Sequence, residues 1–423
     1  MAKIFRRGVF LLIVTLLMTI LNSGCWSRRE IDKLAFVGSV AIDQAEDPEL
    51  LEVTVQVILP GALAGGGGQT GMGGGGGGAS AGTNKVWLVS EKGPTVFEAV
   101  KKINDMSANH LFFGHLTSVI IGEKLARNGV KDVLDNFDRM SELRRNIWIL
   151  IAPGRAKDIL EARPKLQGVP SLAIEGLFIH QTDTSFSYPS SLNNFLIMLS
   201  SRSTDPVAAR ITTIPVGHIT PGEPPWEAGR KEIKLEGAAI FEQDKLVDWL
   251  DGRETRGVLW AQKKFKYGTI TFPNPRGNHK FMTFEVYGAR RKIHTFMEDG
   301  ELFVNLDISC KGNMVEQDSN ADILSQDLFI EKENFRAFEA GIASQVKQEI
   351  LAAMDKAREH KTDILGIGER FYIEHPQEFK KLQADWPEIF TNANVNVVVN
   401  VKVRRTGLIN RSINAQKIEK EAK

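Results

Sequence analysis

A chain of 423 residues with 42% hydrophobic and 25% charged residues can bury two or three cores and is too apolar to remain disordered. Its 53 Lys and Arg residues nearly cancel 52 Asp and Glu residues, leaving a net charge of +1. With the signs interspersed there is no basic footprint, which argues against a nucleic acid partner.

The N-terminus is laid out as an export signal. Lys3, Arg6 and Arg7 form a basic start, and residues 9–21 are apolar apart from two threonines. A run of this length falls short of the about 20 apolar residues that a membrane-crossing helix needs. The stretch Ser23-Gly24-Cys25 resembles the lipobox of bacterial lipoproteins, in which a peptidase cuts on the Gly24 side of a cysteine that carries diacylglycerol. Asn22 departs from that pattern, which is usually apolar there; the leucine, Leu21, lies one place earlier. Each buried CH₂ contributes about 0.8 kcal/mol, so two acyl chains hold where one is marginal. The alternative for Cys25 is an ordinary thiol, but Cys310 is the only other cysteine and the chain has no disulfide framework.

Directly after Cys25, Ser27 and Glu30 have capping-box spacing, and Trp26 and Ile31 occupy the two positions of a hydrophobic staple. Arg28 and Arg29 either meet anionic headgroups or are simply solvated. Strands are predicted over 35–43 and 50–59, the second alternating Val53, Val55 and Val57 with Thr54 and Gln56. Residues 61–84 are almost all glycine and small residues. They lack the GK[ST] ending of a phosphate loop and are expected to be a disordered connection.

A strand over 85–93 precedes a helix opened by Pro94, with Val96, Phe97, Val100 and Ile103 as its apolar stripe. Residues 111–122 form a buried strand and 123–145 a helix with a break point at Asn128-Gly129. A strand follows over 146–154, then a short helix over 155–162. The first half, 25–215, is thus a mixed α/β region with room for two subdomains.

Pro and Gly mark a linker at 216–232. The second domain, 233–410, is predicted to be α+β, with a tail at 411–423. It opens with a hairpin over Gln243-Asp244 and a helix over 252–264. A longer hairpin turns at Asp299-Gly300, a dipeptide suited to the positive φ angles of a type I′ turn. A helix over 331–360 carries Phe335, Phe338, Ile342, Val346 and Ile350 at three- and four-residue steps. At 1.5 Å per residue it spans roughly 40 Å, enough to back a whole sheet, which is expected to be antiparallel. Helical turns over 363–390 lead to a last strand with Val395, Val397, Val399, Val401 and Val403 on one face.

The stretches GCWSRREIDKLAFVGSVAID, LFFGHLTSVIIGEKLARNG, EGAAIFEQDKLVDWLDGRETRGVLW and the segment from DILGIGERFYIEHP to VKVRRTGLI, in this order, resemble the Ger(x)C family. These are the lipoprotein C subunits of spore germinant receptors. The resemblance implies several mixed α/β domains without enzymatic activity or cofactor. It implies diacylglycerol, or palmitate-type acylation, on Cys25 and a place on the outer face of the spore inner membrane, beside the polytopic A and B subunits of a nutrient germinant receptor. An exported lipoprotein that binds a small solute directly is the alternative reading, and an envelope hydrolase without a known motif a third.

Catalytic and metal chemistry find little support. His110 and His115 diverge by about 140° on a helix and fall on opposite faces of a strand, so neither geometry lets them chelate together. Ser344 and Lys347 form SxxK in mid-helix with no KTG strand to follow, and HExxH, GxSxG and Walker patterns are missing. Asp251, Glu254 and Arg256 could line a site, but a capped helix start explains them more simply.

Overall fold

Near-continuous apolar runs at 118–122 and 149–152 mark strands that are buried on both faces. The computed structural model describes residues 5–10, 12, 15, 31–59, 85–180, 185–215, 231–274, 281–317 and 332–405. Gly24, Cys25, Ser27 and Glu30, the Gly-rich residues 61–84, most of the 216–232 linker and the 411–423 tail lie outside these residues. Among the described residues no helix is long and apolar enough to cross a membrane.

The first sheet has β1 (Leu34–Gln44), β2 (Leu51–Ile58), β3 (Val86–Gly93), β4 (His110–Phe112), β5 (Ser118–Gly122), β6 (Trp148–Ala152), β7 (Val207–Pro215), β8 (Lys231–Glu242) and β9 (Lys245–Leu250). Their order is β3-β2-β1-β5-β6-β7-β8-β9, with β4 also beside β1. The central run β1, β5, β6, β7 is parallel, and antiparallel strands extend it at both sides. Parallel strands need crossovers and covered faces, which is why β5 and β6 lack polar alternation.

Helices supply that cover. On one face Val119, Ile121, Ile149 and Ile151 pack with α1 (Val96–Met106), α2 (Glu123–Asn128), α3 (Lys131–Arg139) and, later in the chain, a helix at Leu192–Leu199. On the other face Ile120 and Leu150 pack with α4 (Lys157–Leu160) and α5 (Pro170–His180). The Leu192–Leu199 helix, α6, and strand β7 fall where the sequence offered no clean period.

Three local expectations are refined. The α1 stripe is Val96, Ala99 and Ile103; Phe97 is 56% exposed, since a one-residue step rotates it by about 100° from Val96. The helix starts from Thr95, whose hydroxyl accepts the Glu98 N–H. The single strand expected over 111–122 is two, β4 and β5, which pair with β1 in sequence on either side of a turn at Gly114-His115. The break at Gly129 occurs as expected, with φ +134°.

The second sheet contains β10 (Gly268–Pro273), β11 (Phe281–Glu298), β12 (Glu301–Gln317) and β13 (Asn394–Arg405) in that order. The β11–β12 hairpin turns with φ 50° at Asp299 and 83° at Gly300, as the dipeptide requires. The expectation of an antiparallel sheet fails at one edge, because β13 runs parallel to β12. The chain between them crosses over through long helix α8 (Lys332–Glu359) and through α9 (Ile367–Glu374), α10 (Pro376–Leu382) and α11 (Trp386–Thr391). A crossover of that kind returns a strand in the same direction. Phe338, Ile342, Val346 and Ile350 of α8 are buried in the core of this sheet. Each side chain removed from water there contributes about 1.5–3 kcal/mol.

The first sheet reaches across the linker predicted at 216–232: β8 and β9, which lie within the predicted second domain, pair with β7 and complete it. The last strand of that sheet ends at Leu250. There α7 (Gly252–Ala261) begins, a helix buried on nearly every side because it lies between the two sheets.

Candidate functional site

The densest gathering of buried charge lies around α7. Asp251 caps the helix with a full capping box, accepting the Glu254 N–H at 2.7 Å while the Glu254 carboxylate accepts the Asp251 N–H at 2.8 Å. One turn on, a Cβ at Gly257 would collide with the Glu349 carbonyl and lie 2.7 Å from the Ala353 Cβ. Glycine there lets α7 and α8 approach closely.

That approach brings Arg256 onto Glu349. The Arg256 Nε donates to Glu349 Oε2 at 3.1 Å, and Nη2 donates to Oε1 in a bidentate pair. Arg256 Nη1 donates to the Thr269 carbonyl at 2.7 Å, its guanidinium lies 4.7 Å from the Phe186 ring centroid, and Trp260 Nε1 donates to Glu349 Oε2 at 3.2 Å. Both charged side chains are essentially excluded from water. Arg256 therefore does not line an open site; it ties α7 to α8 and to β10.

Three further polar contacts bridge the sheets. The buried Tyr188 hydroxyl donates to Gln262 Oε1 at 2.6 Å, accepts from Lys264 Nζ, and is linked through Gln262 Nε2 to the Ile364 carbonyl at 2.7 Å. Burial raises the Tyr188 hydroxyl pKa and depresses the Lys264 ammonium to about 8, with Glu369 partly opposing the latter shift. Asp363 accepts the N–H groups of Gly366 (2.9 Å), Ile367 (3.1 Å) and Gly368 (2.5 Å). Burial nevertheless pushes its carboxyl up to about 7, reinforced by Asp205, which accepts the Asp363 N–H at 2.9 Å. Asp205 precedes β7, so this contact also joins the two halves.

The fourth contact pairs Asp248 of β9 with the end of α8. Lys356 Nζ lies 2.6 Å from Asp248 Oδ2 and His360 Nε2 lies 3.0 Å from it. Partial burial works against ionisation, but Lys356, the Trp249 N–H and His360 outweigh it and hold the carboxyl at about 2. Asp248, Glu359 and His360 are close enough to share a metal ion. The Lys356 ammonium already bridges both carboxylates, so a divalent cation would have to displace it.

The sequence-derived candidates sort accordingly. Cys25, Gly24, Ser27 and Glu30 fall outside the described residues. His115 packs edge-on against Phe36 and Phe112 while His110 is exposed, and Ser344 and Lys347 face solvent on α8. Glu349 was missed although it left a signal, since a Glu interrupts the apolar face between Val346 and Ala353. Tyr188, Asp205 and Asp363 left none, because their partners are distant in sequence.

A small solute would find its place at the carboxyl ends of β1, β5 and β6. An open cleft of about 630 Å³ lies there, lined by Asp43, Glu52, Glu123, Arg127 and Arg155 among others. Several of its charges are already engaged: Arg127 pairs with Glu123, Arg155 with Glu52, and Asp43 accepts the N–H groups of Ala156 and Lys157.

Comparison with known proteins bears on all of this. Residues 27–213 match the family described as spore germination protein N-terminal domain, and residues 236–407 match spore germination B3/GerAC like, C-terminal. Spore germination protein B3 of Bacillus subtilis (strain 168) is 27% identical, over 94% of this chain and 97% of its own. Spore germination protein KC of the same organism is 25% identical, over 97% and 98%. The crystal structure of the GerBC protein superposes with a TM-score of 0.53 at 21% identity, covering 86% of this chain and 96% of that one, which establishes a shared fold.

Proposed function

The chain belongs to the Ger(x)C family of spore germination proteins, and from that premise we propose that it is the lipid-anchored, non-enzymatic subunit of a nutrient germinant receptor. In this reading diacylglycerol on Cys25 holds it on the outer face of the spore inner membrane, where it assembles or signals with polytopic A and B subunits. The observation that carries the reading is the match of two family models in order along the chain, the first beginning two residues after Cys25. The seam around α7 supports it: Arg256 and Glu349 pair with each other and Asp363 and Asp205 accept backbone N–H groups, an arrangement that suits a rigid coupling element better than a catalytic centre.

Mass spectrometry of the mature N-terminus tests the anchor. A diacylated Cys25 is expected; an intact Met1 or an unmodified thiol would refute it. Cys25→Ala should release the protein from membranes and weaken germination in response to nutrients, and full membrane retention of that variant would show that something other than lipid holds it.

A further inference from the structure

We propose that an apolar groove at the N-terminal edge of the first sheet rests on the bilayer and receives lipid acyl chains; the inference rests on the anchored reading above. The groove, about 950 Å³, lies between the start of β1, the end of β2, the start of β3 and the last turn of α1. Leu34, Phe36, Ile58, Leu59, Trp87 and Met106 line it. Leu59 and Met106 are exposed, an unusual cost for large apolar side chains clustered in one concavity.

Two polar side chains of the groove, Ser107 and Asn109, are committed to backbone carbonyls. Ser107 Oγ donates to the Asn109 carbonyl at 2.6 Å, and Asn109 Nδ2 donates to the Asp32 carbonyl at 3.3 Å. They form one wall and leave an apolar floor, which fits hydrocarbon and offers little to a polar solute. Trp87 adds an aromatic side chain of the amphipathic kind favoured at membrane interfaces.

Tether length assigns the occupant. Asp32 is part of the groove wall, and only seven residue steps separate it from Cys25. At full extension these reach about 25 Å, so an anchored chain keeps the groove near the headgroups. The opposite end of β1, at Gln44, is ten residue steps beyond Leu34, a further ~33 Å of strand. The edge bearing the groove is therefore the edge closest to the point of attachment.

The test uses the full lipidated chain in vesicles of phosphatidylglycerol and phosphatidylcholine. Leu59→Cys and Met106→Cys, both at exposed positions, each carry an environment-sensitive fluorophore, and Glu46→Cys at the far edge is the control. Cys310 stays silent because it is buried and its thiol is pushed up to about 12. Vesicle flotation reads the anchor, and quenching by bromine on the acyl chains reads the groove. Labels at 59 and 106 are expected to lose about half of their emission, as for side chains seated in the headgroup and acyl boundary, with no loss at 46. Flotation without quenching at 59 and 106 would overturn the groove proposal and leave the anchor standing. Shielding from aqueous iodide without bromine quenching would overturn it in favour of a protein occupant. A chain that fails to float would sink the anchor and the proposal together.

Discussion

Glu349→Ala should destabilise the folded chain more than any surface change. The substitution removes the bidentate partner of Arg256, whose side chain is 4% exposed, and the acceptor of Trp260 Nε1. Breaking a buried ion pair on one side costs about 3–5 kcal/mol, because the remaining charge stays desolvated. Arg256 keeps the Thr269 carbonyl and the Phe186 ring, so the expected loss is about 4 kcal/mol, near the middle of that range. The pair itself has little net worth, since its attraction is offset by the desolvation of two ions. Arg256→Met combined with Glu349→Leu should therefore lose less than either single change, about 1–2 kcal/mol, chiefly from the unpaired Thr269 carbonyl and Trp260 N–H. Urea unfolding followed by tryptophan fluorescence measures all four corners of the Arg256→Met and Glu349→Leu cycle, in a Cys25→Ser background that removes the proposed attachment site. Additive losses in the double variant would refute the account, because they would mean that the two charges do not depend on each other.

Asp363 gives the chain a pH dependence. Its carboxyl moves from 3.8 to about 7 on folding, so between those values the native state holds a proton that the unfolded chain has released. The stability from this group is present in full below pH 3.8 and is lost as pH rises through 7; Asp363→Asn should flatten the slope over that window, leaving the smaller share of Asp205. Gly257→Ala improves helix propensity by about 1 kcal/mol yet should destabilise by roughly 1–3 kcal/mol, through the collision with α8 visible as a lowered melting temperature. A screen of amino acids and sugars should leave the melting temperature of the chain unchanged, whereas a solute bound in the cleft near Arg155 would raise it by mass action.

Much of this protein was readable locally. Periodicity located most strands and the long α8, because one buried face repeats every 2 or 3.6 residues whatever it packs against. Backbone chemistry marked the capping box of Asp251 and Glu254, the break at Gly129 and the turn at Asp299-Gly300, since each depends on residues within a few positions. The motifs around Cys25 and along both halves carried the family.

Tertiary structure decided what local chemistry leaves open. A strand's hydrophobic face says that it will be covered without naming its neighbour, so the sequence did not disclose that β8 and β9 complete the first sheet. Nor did it disclose that β13 pairs in parallel with β12. Arg256 reads in the sequence as part of a capped helix start, and only the approach of α8 brings Glu349, 93 positions away, against it. The groove beside the N-terminus arises in the same way, from the ends of β1, β2, β3 and α1 meeting at one edge. Buried partners and concave surfaces are properties of convergence in space, and only the folded chain sets which elements converge.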